Sequence, residues 1–481
     1  MNRATFCSVA LACATAPAMV GAQKPLAIRP LGPIVLSTKA LLPSVASIRQ
    51  LRNGGVLVND PGGHKVVLFD STLSSYSIVA DTTSGTRKAY GNQIGSLIPY
   101  VADSTLFLDV ASLSFVVISP EGKIIRVMAV PQTQDIISMA LPSSGAAFDA
   151  QGRLVYRQSF NFKGGGKAMS KSPTDTASPP PDSSPVVRVD LKTRKVDTVA
   201  RLRVQPTQYA SATLANGSVM RRSLQNPLPL NDDWALLADG SIAIVRAQDY
   251  HIDWVGPDGA QRSTPKISHQ WVRLSDSAKV ALLDSAKQAD SVNAIKRLAQ
   301  MASGGGAANG GGGAPVTMSF GSADASGGGN MTVMMSGDGG GGGMATKIMV
   351  GGDGSGGGGG AAAAAAALAG APGSSLGATN PFAQPMYIAA SDLPDYWPAF
   401  ISSGVGRLET RADADGNIWI HVNPPAGVEG GPVFDVVNRA GALVDRVQIP
   451  GGCAIVGFAP GFVYLTSREG TGIRLARARI R

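Results

Sequence analysis

The stretch WALLADGSIAIVRAQDYHIDWVGPDGAQRST, residues 234–264, decides the fold class of this chain. Two apolar strands flank the turn Asp239-Gly240, a third strand follows Gln248-Asp249, and the turn Pro257-Asp258-Gly259 precedes a fourth. Glycine and aspartate readily supply the backbone conformations that tight hairpins need. Four short strands joined only by tight turns predict one antiparallel sheet.

The same unit recurs along the chain. Each copy has a turn with a glycine or an acidic residue, followed by a strand rich in branched and aromatic side chains. The copies of this strand begin near residues 55, 104, 152, 240, 416 and 461. The sequence therefore predicts six copies of one sheet unit.

The two ends of the chain indicate how the units are arranged. The final unit has room for only three strands, and a missing fourth strand would leave an open edge that favours aggregation. The segment 32–37 reads as a strand without a unit of its own. If it completes the last unit, the sheets form a closed ring. We therefore predict an all-β fold, a six-bladed β-propeller, with seven blades as the open alternative.

The repeated Asp/Gly turns, the length per unit and the six copies resemble secreted six-bladed propellers of the NHL and TolB-like superfamily. The resemblance covers residues 30–274 and 380–481. It implies a ligand-binding scaffold in most such proteins, and a hydrolase or lactonase in some.

The N-terminus is typical of a secretory signal peptide. Arg3 precedes an apolar run over 4–18, and Val20-Gly21-Ala22 provides small residues for cleavage. Cys13 raises the alternative of a lipoprotein box, but leucine does not occupy the required position, so we favour cleavage after Ala22. We expect an exported protein, in the bacterial periplasm or outside the cell, without a transmembrane segment.

Two further segments interrupt the strands. Residues 275–302 approximate a one-sided apolar stripe and predict an inserted helix. Residues 303–379 are mostly Gly, Ala, Ser and Met, a composition typical of disorder. The predicted domains are a signal peptide (1–22), a first propeller part (23–274), the helix, the glycine-rich insertion and a last propeller part (380–481).

Charge and cysteine content exclude several classes of function. The formal net charge is +9, but the basic residues are scattered, so we expect no nucleic-acid partner. Only Cys453 would remain after cleavage, which leaves no internal disulfide and no cysteine-based metal cluster. We assign no catalytic residue, no metal ligand and no cofactor, and we expect a monomer.

The repeat brings a set of polar residues to one position. In successive copies, the end of the repeated strand carries Asp60, Asp109, Arg157, Arg246 and His421, and Asn59 precedes the first of these. Equivalent strands of a ring point the same way, so these side chains would gather on one face as a ligand site. The alternative is that strands end in polar residues because loops begin there.

Three functions stay open on this basis. The favoured one is a non-enzymatic propeller that binds a protein, peptide or carbohydrate. A second is a lactonase-like hydrolase, with Ca²⁺ held by Asn59, Asp60 and Asp109, because hard cations prefer such oxygen ligands. The opposing charges of Arg157, Arg246 and His421 fit a polar ligand better than a bare cation. A third is a structural protein of the cell envelope.

Overall fold

The structure is a computed structural model of the 481-residue chain. It describes residues 26–83, 90, 95–140, 145–158, 169–170, 182–213, 219–303, 316–320, 331–337, 344–350, 386–402, 410–424 and 428–481. Six sheets, five with four strands and one with five, form the blades of a β-propeller, which confirms the predicted six-bladed fold. No seventh blade is present among these residues.

The first three blades each consist of four antiparallel strands in order from the axis outward. Blade 1 contains Ser47–Gln50, Val56–Asp60, Lys65–Phe69 and Tyr76–Asp81. Blade 2 contains Leu97–Pro99, Thr105–Asp109, Ser114–Ile118 and Ile124–Ala129. Blade 3 contains Ala147–Phe148, Leu154–Arg157, Ser183–Val189 and Val196–Arg203.

The last three blades repeat this order, with one exchange at the chain end. Blade 4 contains Asp233–Leu236, Ile242–Arg246, His251–Val255 and Gln261–Ser263. Blade 5 contains Thr410–Ala412, Ile418–Val422, Val433–Val437 and Leu443–Gln448. Blade 6 contains Cys453–Ala459, Phe462–Glu469, Gly472–Arg479 and, as its outer strand, Ile34–Ser37.

The N-terminal segment closes the ring, as the sequence predicted. Ile34–Ser37 pairs antiparallel with Gly472–Arg479 in blade 6. Just before it, Arg29–Pro30 adds a fifth, parallel strand to the outer edge of blade 5. The Arg29 guanidinium donates to both carboxylate oxygens of Asp445, at 2.5–3.0 Å. The first described residues therefore bind the last two blades.

The hydrophobic core lies between the blades, with one buried cluster in each of the six gaps. Branched and aromatic residues from neighbouring second and third strands pack face to face, as the alternation of strand residues requires. Pairs that represent these gaps are Leu57 with Phe107, Leu108 with Tyr156, Val155 with Trp234, Val245 with Ile420, Trp419 with Val463, and Tyr464 with Val58. The packing in these six gaps explains how the ring is stabilised although no disulfide is present among the described residues.

Residues between the blades form helices and smaller sheets. A short helix covers Ile136–Ala140, and a long helix covers Asp276–Ser303. The Ser275 hydroxyl accepts from the Ala278 backbone N–H, which caps the long helix where the sequence predicted its start. Three short strands at Met169–Ser170, Tyr209–Thr213 and Val219–Ser223 form an extra sheet. None of the helices among the described residues has the length and apolar character needed to cross a membrane.

The glycine-rich insertion lies mostly outside the described residues. Within it, the described strands are Val316–Phe320, Met331–Gly337 and Met344–Val350, which pair as an antiparallel sheet. The threonines and valines of these segments favour strands. Disorder of the 303–379 insertion stays a prediction, as does the signal peptide over 1–22.

Candidate functional site: the upper face of the propeller

The two faces of the propeller carry different kinds of connection. We call the face where the inner strands begin and the second strands end the upper face. The chain leaves blades 1 to 4 at this face, after Asp81, Ala129, Arg203 and Ser263, and it enters the next blade at the same face. The lower face carries the turns that join the first strand of a blade to the second, such as 149–153, 237–241 and 413–417. The candidate residues from the sequence all belong to the upper ends of their strands.

Blade 1 contributes Asn59 and Asp60, both fully buried. One carboxylate oxygen of Asp60 accepts from the backbone N–H groups of Ser44 and Gly63, both at 2.9 Å, and from the Ser44 hydroxyl at 3.0 Å. Asn59 donates its amide to the Gly95 carbonyl at 3.0 Å. These two side chains therefore fasten the connections on either side of blade 1.

Asp109 ends the equivalent strand of blade 2 and plays a similar part. Its carboxylate accepts from the Ala111 backbone N–H at 3.2 Å and from the Ser112 hydroxyl at 2.6 Å. Tyr90 lies close to both Asp60 and Asp109. Burial and these two negative charges raise the pKa of the Tyr90 phenol. Asn59, Asp60 and Asp109 are thus brought to one region, together with a tyrosine that the repeat did not reveal.

Arg157 and Arg246, from blades 3 and 4, share the aspartate pair that precedes blade 4. Arg246 donates to Asp232 and to Asp253, both at 2.6 Å. Arg157 donates to the Ser184 hydroxyl at 3.0 Å. Burial lowers the pKa of Arg157, although the charges of Asp233 and Asp232 oppose that effect. Arg246 therefore pairs directly with the buried Asp232, while Arg157 interacts with Asp232 and Asp233 through charge.

His421 occupies the last position but one of its strand in blade 5, where its ring stacks on Phe434 at 5.1 Å. The structure thus forms two groups from the predicted set, one around Tyr90 and one around Asp232. The contacts of Asp60, Asp109 and Arg246 are of the kind expected where loops begin. A role in ligand binding stays a prediction for all six residues.

A buried polar network links blades 4 and 5 near this face. The Tyr250 hydroxyl donates to Asp435 at 2.9 Å, and the Arg446 guanidinium donates to the same carboxylate at 2.7 and 3.2 Å. Asp435 is fully buried, so the pair satisfies a charge that would otherwise be costly. His269 packs edge-on against the Tyr250 ring, with 5.7 Å between ring centroids.

A small apolar cluster supports the long connections above blade 4. Leu228, Leu274, Leu283, Ile388 and Leu393 form its buried centre. They come from the 204–232 connection, the long helix and the return to blade 5. A parallel bridge between Gln225 and Tyr387 joins two of these segments. The segments above blade 4 therefore pack against one another through a shared apolar cluster, and they are not separate loops.

Among the residues the structure describes, no group of three or more His, Cys, Asp or Glu is placed to hold a metal ion. Adjacent turns engage both oxygens of Asp109 but only one of Asp60, whose Oδ2 is buried without a hydrogen-bond partner, as is the Oδ1 of Asn59. The arrangement fits a structural role or a polar ligand better than a site for Ca²⁺, which takes six to eight oxygen ligands.

Sequence reasoning missed several residues of this face. Tyr90, Asp135, Trp271 and Tyr396 lie in connections that do not repeat, so no periodic signal could identify them. The pair Asp232-Asp233 could have been found, because two adjacent acidic residues directly precede an apolar strand. Burial raises the pKa of Asp135, which accepts from the Tyr156 hydroxyl at 2.9 Å.

Comparisons with known proteins find only distant structural likenesses. No family model matches the chain, and no curated protein matches it in sequence. Among solved structures, a member of the DUF4221 family from Bacteroides vulgatus is similar at 10% identity and a TM-score of 0.36, over 95% of this chain and 97% of that one. A gluconolactonase from Xanthomonas campestris is similar at 11% identity and a TM-score of 0.25, over 94% and 99%.

A virginiamycin B lyase from Staphylococcus aureus is similar at 11% identity and a TM-score of 0.25, over 49% of this chain and 73% of that one. At these identities and TM-scores the likeness carries no argument about fold or activity. The six blades and the closing strand described above establish the chain as a six-bladed β-propeller on their own.

Proposed function

We propose that this chain is an exported β-propeller that binds a protein, peptide or carbohydrate on its upper face and carries out no catalysis. The proposal includes kinship with secreted NHL and TolB-like propellers, and it treats the protein as a monomer. Export rests on the signal-like pattern of residues 1–22. Binding rests on the unequal structure of the two faces.

One observation carries the proposal: among the described residues, both α-helices and the extra sheets belong to connections of the upper face. The lower turns satisfy their own hydrogen bonds, as where Asp149 accepts from the Gln151 and Arg153 backbone N–H groups at 3.0 and 2.9 Å. The upper face instead bears the long helix, the apolar cluster and the long connections. Functional residues concentrate on loops that a rigid scaffold positions. The upper face is therefore the expected binding surface.

The absence of catalysis in this proposal follows from how the charged side chains are used. Asp60 and Asp109 hold turns, and Arg246 holds Asp232 and Asp253. A general acid, base or nucleophile needs reach to a substrate atom, within hydrogen-bond distance. Side chains held by these contacts stabilise the scaffold.

The test blocks one face at a time. Single cysteines replace Lys39 or Lys266 on the upper face, or Lys192 on a lower turn, with Cys453→Ser as the common background. All three lysines are exposed. Each purified protein is coupled to a maleimide polyethylene glycol and applied to arrays of peptides and glycans. The mass of the purified protein also reports whether residues 1–22 have been removed.

We expect the polymer at position 39 or 266 to reduce binding at least tenfold, and the polymer at 192 to leave it unchanged. Equal loss from all three positions, or loss from 192 alone, would contradict the proposal. The hydrolase alternative has its own readout. A rise of several degrees in melting temperature with Ca²⁺, abolished by Asp109→Asn, would favour the cation-dependent hydrolase over a protein that only binds.

A further inference from the structure

An exposed group of aromatic and basic side chains lies on the upper face, above blades 4 and 5. It comprises Trp271, Arg273 and Tyr396, which we call the aromatic patch. The segment with Trp271 and Arg273 leaves blade 4, and the segment with Tyr396 leads toward blade 5. None of these residues belongs to the polar set at the strand ends.

Backbone pairing places the three side chains together. The Leu274 N–H donates to the Asp395 carbonyl at 2.8 Å, and the Trp397 N–H donates to the Val272 carbonyl at 2.9 Å. Arg273 and Tyr396 are directly opposite in this antiparallel bridge. Opposite residues share a face, and so do residues two apart in an extended strand. Trp271, Arg273 and Tyr396 therefore project from the same side.

The burial of alternate residues agrees with this direction. Leu274 is buried in the apolar cluster, and Trp397 packs against that cluster. On the other side, Trp271 is 40% exposed and Tyr396 is 50% exposed. Val272 and Asp395 are also exposed, so only Leu274 and Trp397 anchor the two segments in the protein, while Trp271 and Tyr396 face solvent together.

The Trp271 ring is held in place before any ligand arrives. His269 contacts it edge-on, with 5.2 Å between ring centroids, and His269 contacts Tyr250 in the same manner at 5.7 Å. Tyr250 is fixed by its hydrogen bond to the buried Asp435. A chain of contacts therefore runs from the interior to the exposed ring, which reduces the entropy lost on binding.

The chemistry of the patch identifies a class of ligand. The faces of Trp and Tyr rings are electron-rich, so they attract the weakly positive C–H groups on the flat side of a sugar ring. The planar guanidinium of Arg273 matches the geometry of a carboxylate, which it can bind through two hydrogen bonds. The nearby carboxylate of Asp395 pairs with Lys279 at 2.9 Å and interacts more weakly with the charge of Arg273. The chain as a whole has a formal net charge of +9, which favours an anion.

We infer that the aromatic patch binds an acidic polysaccharide, with Trp271 and Tyr396 stacking on sugar rings and Arg273 pairing with a uronate carboxylate. The inference rests on the proposed function and names the ligand class for it. A protein partner fits less well, because a stable protein interface buries about 800 Å² on each side, far more than two aromatic rings provide. A peptide ligand is an outcome of the test below.

The experiment measures binding of polygalacturonate and of its methyl-esterified form to the purified protein by calorimetry. The patch variants are Trp271→Ala, Tyr396→Ala, Arg273→Gln and Arg273→Lys. Matched controls are Tyr76→Ala, an exposed aromatic on the outer strand of blade 1, and Arg52→Gln on a lower turn. Melting temperatures show whether each variant is folded.

We expect the wild type to prefer the acidic polymer. Each aromatic truncation should weaken its binding about three- to tenfold, the range that one aromatic contact contributes. Arg273→Gln should weaken it about tenfold or more, and Arg273→Lys less, because lysine keeps the charge and loses the fork. Binding of the esterified polymer should be unaffected by Arg273→Gln. The two controls should match the wild type.

Three results would overturn the inference. Equal binding of the two polymers would show that the carboxylates are not recognised. Unchanged binding by the patch variants would show that the polymer binds elsewhere. Peptide binding that depends on the patch, without polygalacturonate binding, would assign a peptide instead. In each case loss of binding after upper-face coupling at residues 39 or 266 would leave the proposed function intact. If that coupling also has no effect, both proposals fail.

Discussion

His269 shows how burial of one residue links pH to stability. Burial lowers the pKa of His269 below its ordinary value of 6.5, and the charge of Arg446 acts in the same direction, while Asp435 opposes it. The folded protein therefore binds this proton at a lower pH than the unfolded chain. The stability that depends on neutral His269 is complete above pH 6.5 and is lost as pH falls toward the folded pKa.

We predict that the wild type loses more stability between about pH 7.5 and about pH 5 than His269→Gln does, because the variant lacks this linkage. Urea midpoints at several pH values measure the difference. His64→Gln is the control, since His64 is exposed on a turn and should follow the wild type. Parallel curves for the wild type and His269→Gln would contradict the prediction.

Buried ion pairs contribute to stability in a different way from this histidine. Arg446 and Asp435 are nearly inaccessible, and Tyr250 satisfies the same carboxylate. Such a pair contributes little net stability, yet removal of one partner strands a buried charge. Because the network lies between blades 4 and 5, it fixes the position of one blade relative to the other.

At the scale of elements, the hairpin turn is the unit that the sequence makes visible. In the lower turn of blade 5, Asp413 accepts from the backbone N–H groups of Asp415 and Asn417 at 2.9 and 2.8 Å. Gly416 adopts a φ of +84°, a conformation that favours glycine. Asp413 also accepts from the Trp419 indole N–H at 3.0 Å, so the turn is tied to the core.

We predict that Asp413→Ala destabilises the protein by about 2–3 kcal/mol, because it leaves the buried Trp419 N–H without an acceptor as well as loosening the turn. The matched control is Asp258→Ala in blade 4, where the carboxylate accepts from the Ala260 backbone N–H and contacts no buried indole. Its cost should be below about 1 kcal/mol. Equal urea midpoints for the two variants would argue against this role of Asp413.

The turns also explain how far sequence reasoning could reach. Turns with a glycine or an acidic residue, such as the one from Asp413 to Gly416, are local in sequence, so the six units and their repeated strands were predicted. The upper connections are fixed by contacts between distant segments, such as Gln225 with Tyr387, which have no period. The strand-end residues were found because they belong to the repeat. Their partners Ser44, Tyr90 and Asp232 were missed because they do not.

At the scale of the molecule, the ring is stable only if it is closed. The outer strand of blade 6 is Ile34–Ser37, and Thr38 continues the contact through its backbone N–H to the Leu475 carbonyl. The clusters in the gaps link every blade to both neighbours, including blade 6 to blade 1. Loss of the closing strand would expose the edge of Gly472–Arg479 and loosen the last gap.

We predict that deletion of residues 1–38 lowers the melting temperature by more than about 10 °C and causes aggregation, since an open sheet edge can pair with other chains. Deletion of residues 1–25, which precede the described chain, should change neither property. Calorimetry and light scattering provide the measurements. Similar behaviour of the two truncated proteins would show that the N-terminal strand is dispensable for closure.

The closing strand has a consequence for the order of assembly during synthesis. Ile34–Ser37 is translated before blade 1, and its partner Gly472–Arg479 is translated after blade 5. The first blades can form while translation continues, but the circle has no complete circumference until Gly472–Arg479 has left the ribosome. The earlier strand must therefore wait for the later one before blade 6 is complete.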